Sequence, residues 1–424
     1  MSDRFSPRFS VSKLVNGSPV LLDVKFKELT YVSTEKKADK CTLTLLNDDL
    51  RFPDDATFDC GSTLMVSWGY SGNMSLPREV IVEKWTPGWP DFHVECAGKG
   101  ILLHKIKDSK SWTKVKRSDV ARELAEKWGY GSDLQDIEDT GEVYDTLTKP
   151  MMTDAAFLTK MAAREAKKGN AFLFSIDNTG FHFHRERLGA PPVRTFSFIP
   201  ASNDPGVIKE FPKFDAVSVQ NKPGKVTAQG VDLVNGKKVD ASASNSTDTG
   251  RSTLGTHVIV FDKLGTHTKE ERNAAAETTK TTGARSDEEA KKDASASLAK
   301  STGKASKGTL PIIGDPRIFS KDIIRIEKIG KRLSGNYYVY EAHHKVKPGD
   351  YTTEIKFRRD ANNGGAGTGA PGAADPSTTA GKPNDTKGTD PSGTPTATEP
   401  KIVYDKLGGH TKVQFTPTSN KGGS

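Results

Sequence analysis

Cysteine is nearly absent: three residues, Cys41, Cys60 and Cys96, all in the first quarter and with no C-x-x-C pair. An odd number at this spacing suits neither a disulfide framework nor a zinc site. They are predicted to be small buried strand residues, consistent with assembly in a reducing compartment. No run of about 18 apolar residues occurs, so no membrane span is expected. The opening MSDRFSPRFSVSKL has no apolar core segment, so no signal peptide is expected. Apolar residues make up only 34% of the chain and mean hydropathy is −0.58, so part of the chain is not packed core. The net charge of +8 is spread among interspersed acids and bases without a long basic block, which gives no argument for specific nucleic-acid binding. No nucleophile elbow, P-loop, H-E-x-x-H or dinucleotide fingerprint is present, and no cofactor is expected.

What is plentiful is turn chemistry: 39 glycines and 23 prolines in 424 residues, placed between short alternating runs. Residues 9–103 read as strands, with runs at 26–31, 40–47, 62–70, 77–85 and 91–99. Such regular short strands suggest a sandwich or barrel. The period then becomes helical. Ser118 is placed to cap a helix over 119–128 with Val120, Ala121, Leu124, Ala125 and Trp128 on one face. A second helix starts near Thr153 or Asp154, with Phe157, Leu158, Met161, Ala162 and Ala166 as its stripe. A hairpin, 171–176 and 181–185 around Asp177-Asn178-Thr179-Gly180, follows. Strands return at 196–198 and 215–219, with 226–231 as a possible partner of the latter. The stretch 308–357 reads as a three-strand antiparallel meander with runs at 323–329, 337–345 and 351–358. A lone meander buries little and needs a partner sheet or a closed ring.

Two stretches are polar. Within 241–307, Ser286-Asp287-Glu288-Glu289 is a capping box opening a helix over 286–299, whose small stripe, Ala290, Ala294 and Leu298, must lie on something flat. Residues 360–399 are rich in Gly, Pro, Thr, Ala and Asp and read as a disordered linker. A repeat spans them: His257–Lys269 and Pro400–Lys412 share a β-rich run, an aromatic, and Asp-Lys-Leu-Gly-x-His-Thr-Lys. A strand at the end of a tether suits docking to the edge of a neighbouring sheet, against the plainer alternative of a duplicated hairpin without a role. The residues chosen for docking are Val258, Ile259, Val260 and Phe261 in the first copy, and Ile402, Val403, Tyr404, Leu407, Val413 and Phe415 in and after the second.

The meander carries Gly314, Pro316, Ser334, Gly335, Tyr337 or Tyr338, Val339, His343 or His344, and Tyr351 to Thr353. This pattern resembles the closing barrel of the late-control D proteins, the phage baseplate hubs related to the hub part of VgrG spike proteins. The run 58–70, FDCGSTLMVSWGY, is similar to a strand of that family's first barrel, and the helix–helix–hairpin order resembles its inserted domain. The resemblance covers residues from about 1 to 358. It implies an α+β, mostly β chain: a first hub β-barrel over 1–108, a small α/β domain over 109–195, and a second barrel from 196–240 and 308–359. The polar insertion 241–307, the linker 360–399 and a C-terminal docking segment 400–424 complete the expected organisation. It further implies a homotrimer whose six β-domains form a ring joining a six-fold inner tube to a three-fold central spike. The expected partners are a separate spike protein, an inner tube protein or tube initiator, and other baseplate proteins. The expected location is the tail baseplate of a phage or phage-like particle assembled in the bacterial cytoplasm, and the expected role is structural, not enzymatic. A tail-associated peptidoglycan hydrolase and a secreted glycan-binding or effector-loading module remain as alternatives.

His182 and His184, at i and i+2, face one side of a strand and could ligate a metal, but no third ligand is placed near them by spacing, so no metal site is expected. His343 and His344 face opposite sides. The carboxylate pairs Glu123/Glu126 and Glu138/Asp139 sit in charged surroundings. Lys110–Arg117 interleaves Trp112 with bases and reads as a solvated loop edge rather than a phosphate contact.

Overall fold

The computed structural model describes residues 3–15, 18–202, 207–215, 225–232, 235–244, 254, 260–261, 267–268, 277–304, 306–360, 401–404 and 411–414. The chain is mostly β, as expected, and among the described residues its largest sheet has 15 strands. The linker 360–399 lies, apart from Asp360, outside the described residues.

The N-terminal strands bury alternate residues. In Phe26–Thr34 these are Leu29, Tyr31 and Ser33; in Lys40–Leu46 they are Cys41, Leu43 and Leu45. This is the period-2 pattern of a sheet with one face on a core. Both strands join Asp91–Gly98, Arg78–Thr86, Thr63–Ser71 and Asp3–Val15 in an antiparallel order, around a core that includes Val66, Trp68, Phe92 and Val94. Each such fully buried large side chain contributes about 1.5–3 kcal/mol over its exposed state. Cys41 and Cys96 face each other across this sheet as buried thiols, whereas Cys60 is exposed and lies in a turn, contrary to the expectation for it. Burial pushes the Cys96 thiol up to about 12.

The C-terminal meander forms as Ile323–Glu327, Gly335–Lys347 and Asp350–Arg359. Its core gathers Phe196, Ile324, Ile326, Tyr337, Val339, Ile355 and Phe357. The two β regions are not separate sheets. Residues 335–338 of Gly335–Lys347 pair with Ile323–Glu327, and residues 341–346 of the same strand pair with Phe26–Thr34. One strand of 13 residues thus runs through both regions, with a bulge between Val339 and Glu341 re-aiming it where it changes partner.

Between the two regions in sequence, α1 (Arg117–Lys127) and α2 (Asp154–Ala163) pack on a sheet containing Asn170–Asp177 and Gly180–Arg185, with Leu124, Leu158, Phe181 and Phe183 buried between. Thr153 caps α2, its hydroxyl accepting from the Ala156 amide. Ser118 does not cap α1: Lys116 stands at that position and Ser118 is buried inside the first turn, bonded to Asp139 and Thr140. Lys107–Lys116 is not a loop edge either. It is a strand paired with Val143–Thr153, and Trp112 is buried, stacked on Phe157 and donating to Glu123.

Ser286 caps α3 (Asp287–Thr302), its hydroxyl accepting from the Glu289 amide at 3.1 Å, but the reciprocal half of the expected box does not form: the Glu289 carboxylate accepts from the Arg285 amide instead. Its alanine stripe lies on a three-stranded sheet of Lys225–Val231, Lys238–Ser244 and Glu277–Thr281. The strand expected to pair with 215–219 therefore pairs with 238–244 and 277–281, and residues 216–219 lie outside the described residues.

Candidate functional site

The repeat residues chosen for docking divide. Lys401–Tyr404, with Ile402, Val403 and Tyr404, pairs with Thr411–Gln414, which places Ile402 opposite Val413. Val260–Phe261 pairs with His267–Thr268. In each copy the described residues of the β run pair with described residues that follow them, 267–268 in the first and 411–414 in the second. Val258, Ile259, Leu407 and Phe415 lie outside the described residues.

Other surfaces offer more to a partner. The edge strand Ser18–Leu21 exposes all four residues, Leu21 by 66%. Trp89 is 73% exposed and Met151 69%. Unpaired strand edges and large exposed apolar groups are the usual material of protein contacts. A cavity of about 380 Å³ opens where the N-terminal strand meets the second β region, walled by Pro7, Tyr70, Ile208, Ile312 and Tyr351.

The joints between regions are polar and buried. At the seam of the two β regions, Trp68 Nε1 donates to the Tyr351 hydroxyl at 3.1 Å. His344 Nδ1 lies 2.9 Å from that hydroxyl, and His344 Nε2 lies 2.9 Å from the Ile318 carbonyl oxygen. With Nε2 donating to the carbonyl, Nδ1 accepts from Tyr351 and the imidazole is neutral. Burial pushes the His344 pKa down to about 3. Gly314 lies against this joint, where a Cβ would come within 2.4 Å of three Tyr351 ring atoms. The joint between α3 and the α1–α2 unit is ionic. Arg117 is 3.1 Å from both Glu165 and Glu289, Arg164 bridges Glu289 and Asp293, and Lys292 reaches Glu165 at 3.0 Å. Burial raises the Glu165 pKa although Arg117 and Lys292 oppose it.

A third cluster gathers the two histidines singled out in sequence. Gln135–Ile137 pairs in parallel with Gly180–Arg185, bringing Asp136 opposite His182. Gly180 permits this approach: its φ is +138°, and a Cβ there would sit 2.1 Å from the Leu134 carbonyl oxygen. His182 Nδ1 and His184 Nε2 each lie 3.5 Å from Asp136 Oδ2. Burial acts to raise the Asp136 pKa, but the Arg187 hydrogen bond and the nearby imidazoles hold it below the usual carboxylate value. Spacing along the chain could not reveal Asp136, because it arrives from a different element by a parallel pairing.

A family model described as the Alg8 N-terminal domain matches residues 10–348. The chain is similar in structure to the tail protein from Neisseria meningitidis MC58, at 13% identity and a TM-score of 0.56 over 83% of this chain and 97% of that one. It is also similar to the prophage MuSo2 43 kDa tail protein from Shewanella oneidensis, at 13% identity and a TM-score of 0.55 over 84% of this chain and 100% of that one. At these identities the likeness is one of fold. No curated protein matches the chain by sequence.

Proposed function

This chain belongs to the Alg8 N-terminal domain family, and from its tail-protein fold we propose that it is a structural component of a tail baseplate. More finely, it is the hub of a contractile phage tail or injection system, allied to the late-control D proteins and to the hub part of VgrG. The observation that carries the reading is the fold shared with two tail proteins over 97% and 100% of their lengths.

The geometry of the subunit supports it. Strand Gly335–Lys347 ties two β regions into one continuous sheet, so a subunit presents two β blocks in fixed relation. Three subunits would set six such blocks around one axis, matching a six-fold inner tube on one side and a three-fold spike on the other. Obligate assemblies bury large apolar interfaces, and Leu21, Trp89 and Met151 are available for them. The partners are a spike protein, an inner tube protein or tube initiator, and neighbouring baseplate proteins. The particle assembles in the bacterial cytoplasm. The paired repeat strands, 260–261 with 267–268 and 401–404 with 411–414, would hold further baseplate components.

The role is mechanical rather than enzymatic. Burial raises the pKa of Asp39, Glu165 and Glu186, yet each is engaged by a packed basic side chain. Asp322, pushed up to about 6, accepts from the Phe319 amide. Light scattering of the purified chain tests the reading: the expected mass is three times that of the 46.0 kDa chain. A monomer at micromolar concentration, or release of soluble products from cell walls, overturns it.

A further inference from the structure

We propose that Asp136, His182 and His184 bind a divalent transition-metal ion of the zinc class, clipping strand Gln135–Ile137 to strand Gly180–Arg185. One ligand atom from each of Asp136, His182 and His184 lies within 4.8 Å of those of the other two. Bonds of about 2.0–2.1 Å in a tetrahedron set donor atoms roughly 3.3 Å apart. Both imidazole nitrogens stand 3.5 Å from the carboxylate oxygen, close to that spacing. Two imidazoles and one carboxylate suit zinc and its neighbours rather than calcium or magnesium.

The surroundings orient each donor. His184 Nδ1 is 2.7 Å from the Arg185 carbonyl oxygen, so it carries the proton and leaves the Nε2 lone pair facing Asp136. His182 Nε2 is 3.0 Å from Asp177 Oδ1, so it too carries a proton and leaves Nδ1 facing the same point. A ligating histidine that donates its other N–H to a carboxylate or a carbonyl is the usual outer arrangement of a metal site. Asp177 is itself anchored by Lys321, at 2.5 Å. Arg187 holds the other Asp136 oxygen, Oδ1, at 2.7 Å, which turns Oδ2 toward the imidazoles. With both imidazoles neutral, three lone pairs converge on one point, where a cation would take the place of any proton shared between an imidazole and Asp136. The two histidines are largely buried, while the side chain of Asp136 is 37% exposed and leaves space for a water as fourth donor.

The test uses the full chain without a histidine tag, stripped by a chelator and titrated with Co²⁺ alone, then with Zn²⁺. Saturation at one equivalent with the visible band of four-coordinate cobalt, displaced by Zn²⁺, is the expected result. Asp136→Asn and His184→Gln should each weaken binding at least 10–100-fold, the cost typical of damaging a metal site. Cys60→Ser, which removes the exposed thiol as a rival ligand, should leave it unchanged. Circular dichroism identifies any variant that fails to fold, and Asp136→Asn, nearly isosteric and partly exposed, keeps the test open if a histidine variant does. No saturable binding to millimolar Co²⁺, or binding unaffected by Asp136→Asn, overturns the proposal.

Discussion

The two joints that hold this molecule together solve the same problem with opposite chemistry. Where the β regions meet, the contact is a backbone ladder between Gly335–Lys347 and Phe26–Thr34, backed by a neutral chain of hydrogen bonds from Trp68 through Tyr351 and His344 to the Ile318 carbonyl oxygen. Where α3 meets the α1–α2 unit, the contact is ionic: Arg117 and Lys292 against Glu165, and Arg117 with Arg164 against Glu289. Neutral hydrogen bonds contribute modestly, and a buried neutral group that loses its partner costs about 1–3 kcal/mol. Buried charges cost several kcal/mol each to desolvate and hold only as a complete set. The first joint should tolerate single losses; the second should not.

Arg117→Met attacks the ionic joint most directly. It leaves Glu165 and Glu289 short of a buried partner and should cost about 3–5 kcal/mol in denaturant unfolding. A loss below about 1 kcal/mol would mean that Lys292 and Arg164 alone carry the two carboxylates. The neutral joint is best strained by acid. His344 is neutral in the fold with a pKa near 3, against about 6.5 unfolded. Between those values the unfolded chain binds a proton that the folded chain refuses, so stability is complete above pH 6.5 and falls as pH drops. The slope from this group approaches about 1.4 kcal/mol per pH unit. Asp322, with its pKa raised to about 6, pulls the other way between that value and its unfolded one near 4. The difference between the parent and His344→Gln, measured from pH 7 to 5, isolates the histidine, and parallel curves would remove it from the account.

Two smaller effects sharpen the contrast. Trp68→Phe removes the donor to Tyr351 at the neutral joint and should cost about 1–3 kcal/mol, the range for a buried polar group that loses a partner. Lys84→Ala deletes the exposed pair with Glu95 and should change stability by no more than about 1 kcal/mol. If Trp68→Phe proved as costly as Arg117→Met, the division of the two joints would fail.

Much of the local structure could be read without coordinates. The hairpin around Asp177-Asn178-Thr179-Gly180 forms with Asp177 opposite Gly180, and α3 starts at the Ser286 cap. Ser118 shows the limit. A serine before an apolar stripe reads as a cap, yet the Lys107–Lys116 strand enters the helix earlier, and Ser118 instead bonds Asp139 and Thr140. Trp112 shows another: basic neighbours suggested a wet loop, and only the pairing with Val143–Thr153 and the stacking on Phe157 bury it.

By itself the sequence determined the alternation of the main strand runs, the helix start near Thr153, the cap at Ser286, the turn residues and the pair of histidines on one strand face. These depend on backbone sterics and on neighbours a few residues away, so a short window contains their cause. Only the tertiary structure decided that Gly335–Lys347 would serve both β regions, that α3 would find Arg117 and Arg164, and that Asp136 would stand before His182 and His184. Partner choice between distant strands is settled by which cores close together and which buried charges balance, and no local pattern of residues encodes it.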